Sequence, residues 1–240
     1  MSARAFVDLH CHTNASFDCL SAPSAVVKAA AERGLTHLAI TDHDRIDGAL
    51  VARRLAPVGL TVIIGEEVKT RDGDLICIFL EQAIPPGLSA VETIAAAREQ
   101  GGLVGIPHPF DRLRGSLLRH PGLEALGSAV DWVETHNARL IGRGNERAAA
   151  FAHEHGLPGV AVSDAHSILE VAVAYTGLDG DPSTPAGLLA ALASVELVPG
   201  RASLLIRTWT PLATFIQRTR GNGRIGPTAG PAPSGSREVP

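Results

Sequence analysis

Short runs of β-branched and aliphatic residues recur along the chain, and stretches of helical period separate most of them. Ala5–His10, His37–Thr41, Thr61–Ile64, Leu75–Leu80, Leu103–Ile106, Trp132–Glu134 and Gly159–Val162 read as strands. Pro23–Arg33 reads as a helix that starts after Ser21 and stops at Gly34. Ala90–Gln100 opens with a Ser89/Glu92 capping box and ends at Gly101 and Gly102. Arg143–His155 and Pro185–Leu192 complete the helices. Apolar strands alternating with helices predict a parallel sheet covered by helices. Seven such strands point to a closed or nearly closed α/β barrel rather than an open sheet.

The pattern changes near the end. Residues 208–220 read as a helix-like segment beyond the barrel. Gly221–Pro240 has five Gly and four Pro and no apolar period, so it is expected to be a disordered tail. The 240 residues are 45% hydrophobic and 19% charged, enough for one folded core with a short appendage. A formal charge of −4 supplies no general attraction to nucleic-acid backbones, so strong binding of such polymers is not expected. No apolar run reaches membrane-spanning length, and Met1–His10 lacks a signal-peptide profile. The expectation is a cytoplasmic protein with no membrane partner. Cys11, Cys19 and Cys77 form no CxxC pair and give no disulfide framework.

The histidines change the picture more than the charge does. Asp8-Leu9-His10-Cys11-His12 closes the first strand, where residues two apart share a face. His10 and His12 can therefore grip one ion, Asp8 can orient a ligating ring, and Cys11 faces away. A second pair, His153 and His155, falls at a helix end, where residues two apart diverge by about 200°. Those two read as solvated. The second strand ends in Thr41-Asp42-His43-Asp44 and the third in Gly65-Glu66-Glu67. The fifth runs into Pro107-His108-Pro109, the sixth closes on Glu134, and Ser163-Asp164-Ala165-His166 follows the seventh. In an α/β barrel these C-terminal strand ends converge on one face. Imidazoles and carboxylates there suit Mn, Fe or Zn. Arg112 and Arg114, on the loop after His108, are candidates to bind an anionic substrate, with Arg139 and Arg143 as a second choice. His136 reads as a hydrogen-bonding neighbour of the ligands, and His37 and His120 as structural. No P-loop, GxSxG elbow or dinucleotide fingerprint is present.

Asp8-Leu9-His10-Cys11-His12-Thr13, Thr41-Asp42-His43-Asp44, Gly65-Glu66-Glu67, His108-Pro109 and Ser163-Asp164-Ala165-His166 together resemble the PHP (polymerase and histidinol phosphatase) family. The resemblance runs across roughly residues 5–207, within a barrel domain taken as 3–207. It implies a distorted (β/α)7 barrel with two or three divalent metals at the C-terminal ends of the strands. It also implies hydrolysis of a small phosphorylated metabolite or nucleotide by metal-activated water. His10, His12, Glu67 and Asp164 match the ligands of one metal. Glu67 matches a bridge to a second metal, which His108 also holds. Asp18, His43 and His166 match a third site. Glu67 and Asp164 would position the attacking water, while Asp8, Asp42 and Glu134 would hold the ligands in place. Where the family often carries a His before the fourth strand, this chain has Asp74, either a replacement ligand or a turn residue. A metal-dependent hydrolase of a non-phosphate bond and a non-catalytic metal-binding module are the alternatives.

Overall fold

Residues 4–111, 116 and 123–226 are described by the computed structural model, those at 123–125 by backbone alone. The chain runs β1 (Arg4–Asp8), α1 (Pro23–Glu32), β2 (His37–His43), α2 (Asp47–Leu55), β3 (Thr61–Lys69), β4 (Asp74–Ile78), α3 (Ala90–Glu99) and β5 (Leu103–Ile106). A 3-10 segment, Leu123–Ala129, leads to β6 (Trp132–Asn137), α4 (Gly144–Glu154), β7 (Gly159–Val162) and β8 (Tyr175–Asp179). Then come α5 (Pro185–Ala191), β9 (Glu196–Val198), α6 (Leu204–Arg207) and α7 (Trp209–Thr219). Among the described residues the strands form one sheet in the order β7-β6-β5-β4-β3-β2-β1-β8-β9.

The sheet curls until its ends nearly meet, giving the expected α/β barrel. Beyond β7 the backbone returns to the end of β1: Asp164 N donates to His10 O at 2.9 Å and His12 N to Ala165 O at 3.0 Å. Lower down, the Thr176 hydroxyl of β8 donates to Ala161 O and accepts from Ala161 N of β7, both at 2.9 Å. β8 and β9 were not read from the sequence. β8 runs antiparallel to β1 and β9 antiparallel to β8, and the two fill the gap between the first and last parallel strands.

One orientation differs from the parallel reading. Only Thr70–Gly73 links β3 to β4, and a parallel crossover needs about a dozen residues or more. The chain therefore turns back, and β4 pairs antiparallel with β3, Lys69 opposite Asp74. That reversal brings the start of β4 to the rim where β3 ends, which puts Asp74 beside residues from other strands' C-terminal ends. α2 is also absent from the sequence reading. Its first turn follows Ile46, which makes no side-chain cap. By contrast both bonds of the Ser89/Glu92 capping box form at α3.

The barrel interior explains how the site is carried. Ala39, Ile63, Trp132, Val160 and Val162 belong to an inner apolar cluster. Two residues further along β2, β3 and β6 the same face continues as Thr41 and His43, Gly65 and Glu67, and Glu134. Strand period alone thus turns core positions into site positions at the rim. Trp132 is fully buried, and Gly105 makes room for it, because a Cβ there would lie 2.1 Å from the indole. A second cluster, with Val26 and Ala30 of α1, Ala49 and Ala52 of α2 and Ala97 of α3, packs the helices on the outside of the sheet. Cys11 joins this outer layer, away from its flanking histidines.

Candidate metal centre

Glu67 sits at the middle of the rim. Its Oε1 lies 2.9 Å from His108 Nε2, and its Oε2 lies 3.3 Å from His10 Nε2, 3.5 Å from His12 Nε2 and 3.2 Å from His43 Nδ1. Asp164 Oδ1 is 3.6 Å from both His10 and His12 Nε2, which are themselves 3.0 Å apart. On the far side Asp18 Oδ2 lies 3.1 Å from His166 Nε2 and 3.3 Å from His43 Nε2. Three donor groups result: His10, His12 and Glu67; Glu67, Asp74 and His108; and His12, Asp18, His43 and His166. Glu67 and His12 each belong to two. The neighbouring Glu66 points the other way, as strand period requires, and accepts from Ile84 N.

Further polar groups fix these side chains. Glu134 Oε1 is 2.6 Å from His10 Nδ1, and its Oε2 accepts from His108 N and the Asn137 amide. Asn137 also donates to Asp164 Oδ2 at 3.0 Å. Ser16 Oγ lies 3.1 Å from His12 Nδ1 and donates to Asp42, which also accepts from the Thr13 amide and hydroxyl. Asp8 departs from expectation. It is fully buried but accepts from the backbone N–H of His10 and Ser163 rather than from a ring. Its position at the strand end leaves backbone amides closer than the imidazoles, which extend past it. Asp44, His108 and Asp164 hold φ of 57°, 28° and 52°, the left-handed region, where non-Gly residues store strain of about 1–3 kcal/mol each. All three lie at strand ends in this rim.

Burial and neighbouring charge act against each other across the centre. Burial raises Glu67 and Asp18, but nearby imidazoles outweigh it: His43 and His10 hold Glu67, and His166 and His43 hold Asp18, well below the usual carboxylate range. Burial works against protonation of His43, yet Glu67 and Asp18 lift it to about 9. Burial likewise lowers His10, but Glu134, Asp164 and Glu67 carry it well above its ordinary value. His12 is pushed down to about 3 by burial and by the charge of His166. Two imidazoles at 3.0 Å cannot both be charged, so one proton serves the pair. Asp8 is raised to about 7 by burial.

That donor chemistry fits divalent ions. His10, His12, His108, Asp164 and Glu67 are at most 2% exposed. Asp18 Oδ1 and His108 Nδ1 are buried with no hydrogen-bond partner among the described residues. A buried unpaired polar atom costs about 1–3 kcal/mol, a cost that ligation removes. Imidazole and carboxylate together favour Mn, Fe or Zn over softer ions.

Arg112, Arg114 and His120 lie outside the described residues. Arg139 and Arg143 line a cleft of about 920 Å³ beside Asp18 and His166, joined by Arg147, Arg207, Phe17 and Phe110. The sequence reading named neither Arg147 nor Arg207; the first lies a turn along α4 from Arg143 and the second more than sixty residues from Arg139 in sequence. Arg147 stacks over Phe110, 4.1 Å from the ring centre. His136 turns to Gly200 O at 2.7 Å, and His37 to Thr36 and Ser183, so neither enters the centre. His153 is exposed, whereas His155 is half-buried because its ring stacks on Phe151 at 4.1 Å.

A model of the PHP domain matches residues 8–119, and one described as PHP-associated matches residues 142–196. An uncharacterized protein of Methanocaldococcus jannaschii is 37% identical over 147 residues, 55% of this chain and 81% of that protein. A two-domain protein of Bacteroides vulgatus, described as containing a predicted PHP-like metal-dependent phosphoesterase, superposes with a TM-score of 0.69 at 19% identity. The match covers 83% of this chain and 66% of that one, just under two thirds of its length. A lesion-specific endonuclease of Pyrococcus furiosus gives 0.61 at 18% identity, over 81% of this chain and 58% of that one. At such identities the structural likeness shows a shared fold. No helix among the described residues is long and apolar enough to cross a membrane.

Proposed function

This chain belongs to the PHP family of metal-dependent phosphoesterases, and from that footing we propose that it hydrolyses a phosphoester at the rim of its barrel. The observation that carries the proposal is the double reach of Glu67, one oxygen toward His108 and the other toward His10, His12 and His43. A carboxylate so placed is suited to bridge two ions and set their separation. His10, His12, Glu67 and Asp164 would hold one metal and Glu67, His108 and Asp74 a second. Asp18, His43 and His166 would hold a third.

Divalent metals, when bound, supply a nucleophilic water near neutral pH and offset charge on the transferring phosphoryl group. The chain's own residues do the rest. Glu134 and Ser16 fix the ring planes of His10 and His12, so the donors need no reorganisation. Asn137 fixes Asp164, whose other oxygen faces the same pair of rings. Arg139, Arg143 and Arg147 line the adjoining cleft and suit an anionic substrate. Phe17 and Phe110 in the same cleft offer ring faces, which favours a small phosphorylated metabolite or nucleotide.

The test is metal analysis of freshly purified protein, followed by assays with added Mn for phosphate release from sugar phosphates and nucleotides and for strand cleavage of single-stranded DNA. Two or more transition-metal equivalents per chain and turnover of a small ester are expected. Less than one metal per chain after loading, or no cleavage of any ester, contradicts the proposal. Cleavage of DNA alone overturns its small-substrate part.

A further inference from the structure

The segment after α7 belongs to the site. Gln217, on the last turn of α7, is 3% exposed, and its amide nitrogen lies 2.7, 3.0 and 2.7 Å from the carbonyls of Asn14, Ser16 and Cys19. Asn222 adds contacts to the carbonyls of Asn14, Ala15 and Ser16 and accepts from Arg45 at 3.0 Å. These two amides fasten the helix end to the loop that carries Asp18 and Ser16. Two residues on, Arg224 crosses back over the rim. Its guanidinium carbon lies 5.3 Å from the centre of the Phe17 ring, its Nε 3.5 Å from Asp44 Oδ2 and its Nη2 3.8 Å from Asp74 Oδ1.

Those distances decide what Arg224 can do. Both carboxylate contacts exceed the 2.7–3.2 Å range of an N–H···O hydrogen bond. Among the described residues none of its five N–H groups is committed to a protein acceptor. Asp74 already has a nearer cation, Lys69 Nζ at 3.0 Å, and Asp44 Oδ1 accepts from Lys69 N. The side chain is 37% exposed, so solvent or a ligand reaches it. A guanidinium anchored by its neighbours, stacked on an aromatic ring and holding free donors beside a metal centre is an oxyanion receptor.

We propose that Arg224 is a substrate-binding residue, reaching a phosphoryl oxygen from the Asp74 side of the centre while the arginine-lined cleft adjoins the Asp18 and His166 side. The inference rests on the phosphoesterase reading, since a phosphoryl group is what would sit between the two. It assigns a function to a stretch whose composition resembles an inert tail.

The test is calorimetric binding of inorganic phosphate to the full-length, Mn-loaded protein, for wild type, Arg224→Ala and Arg224→Lys. Arg224→Ala is expected to weaken phosphate binding about tenfold or more, with Mn content and melting temperature unchanged. Arg224→Lys should recover part of the loss, keeping the charge without the fork. For any ester the wild type cleaves, KM should rise by more than kcat falls. Unchanged phosphate affinity in Arg224→Ala overturns the inference. So does loss of Mn in that variant, which would make Arg224 a partner of Asp74 alone. Arg224-dependent phosphate binding by a wild type that cleaves no ester would sink the functional reading and leave this one standing.

Discussion

Glu134 places a carboxylate oxygen 2.6 Å from Nδ1 of His10, so the ring's other nitrogen is turned into the centre and kept basic. Neither residue is accessible. Glu134→Gln keeps the shape and removes the charge. Titration of Mn into metal-stripped protein should show affinity lower by about 10–100-fold, with an unchanged circular dichroism spectrum. Equal affinity in the two proteins would mean that the pair is structural only.

Asp42 acts at one remove, through Ser16, and Gly48 leaves the space for it. A Cβ on Gly48 would lie 2.0 Å from Asp42 Oδ2 and 2.4 Å from Thr13 Oγ1. Gly48→Ala should therefore cost about 1–3 kcal/mol of stability and also weaken metal binding, because Ser16 loses its hold on His12. A melting curve that superposes on that of wild type would contradict this packing account.

Metal binding should be strongly linked to protons. In the metal-free protein His43 stays protonated up to about 9 and His10 is raised as well, so below that pH an incoming ion must displace their protons. Apparent Mn affinity should rise with pH toward about 9, by roughly tenfold per unit for each proton displaced. His12, held at about 3, is already unprotonated and adds nothing in that window. The check is the proton release measured in buffers of different ionisation enthalpy. A pH-independent affinity between 6 and 9 would contradict the assignment of His43 and His10.

Much of this centre is legible in the sequence because strand period is a local rule. His10 and His12, Ala39 through His43, and Ile63 through Glu67 each keep one face, while the choice of Glu67 over Glu66 rests on the family resemblance. Asp74 shows the limit. Its place depends on β4 turning back, which the short Thr70–Gly73 link encodes but an alternating strand–helix pattern masks. Asp8 looked like a ring partner because its parity is right, yet reach matters too, and Glu134, 124 positions from His10, takes that role. Such long-range pairings leave no local trace. The same holds for the cleft that joins Arg139 and Arg207, and for Arg224, whose Gly- and Pro-rich surroundings resemble a disordered tail until Gln217 and Asn222 are seen to fasten it.

The proposed role of Glu67 is to bridge two ions, and hydrolysis would then depend on that bridge. It is tested most directly by phosphate release at saturating Mn from one ester the wild type cleaves, comparing Glu67→Gln with Asp74→Ala. Losing a bridge disturbs two ions, whereas losing a terminal carboxylate leaves their separation set. Glu67→Gln should lower turnover by about a hundredfold or more and Asp74→Ala by distinctly less, both variants remaining folded. Near-normal turnover in Glu67→Gln together with its loss in Asp74→Ala would contradict the account.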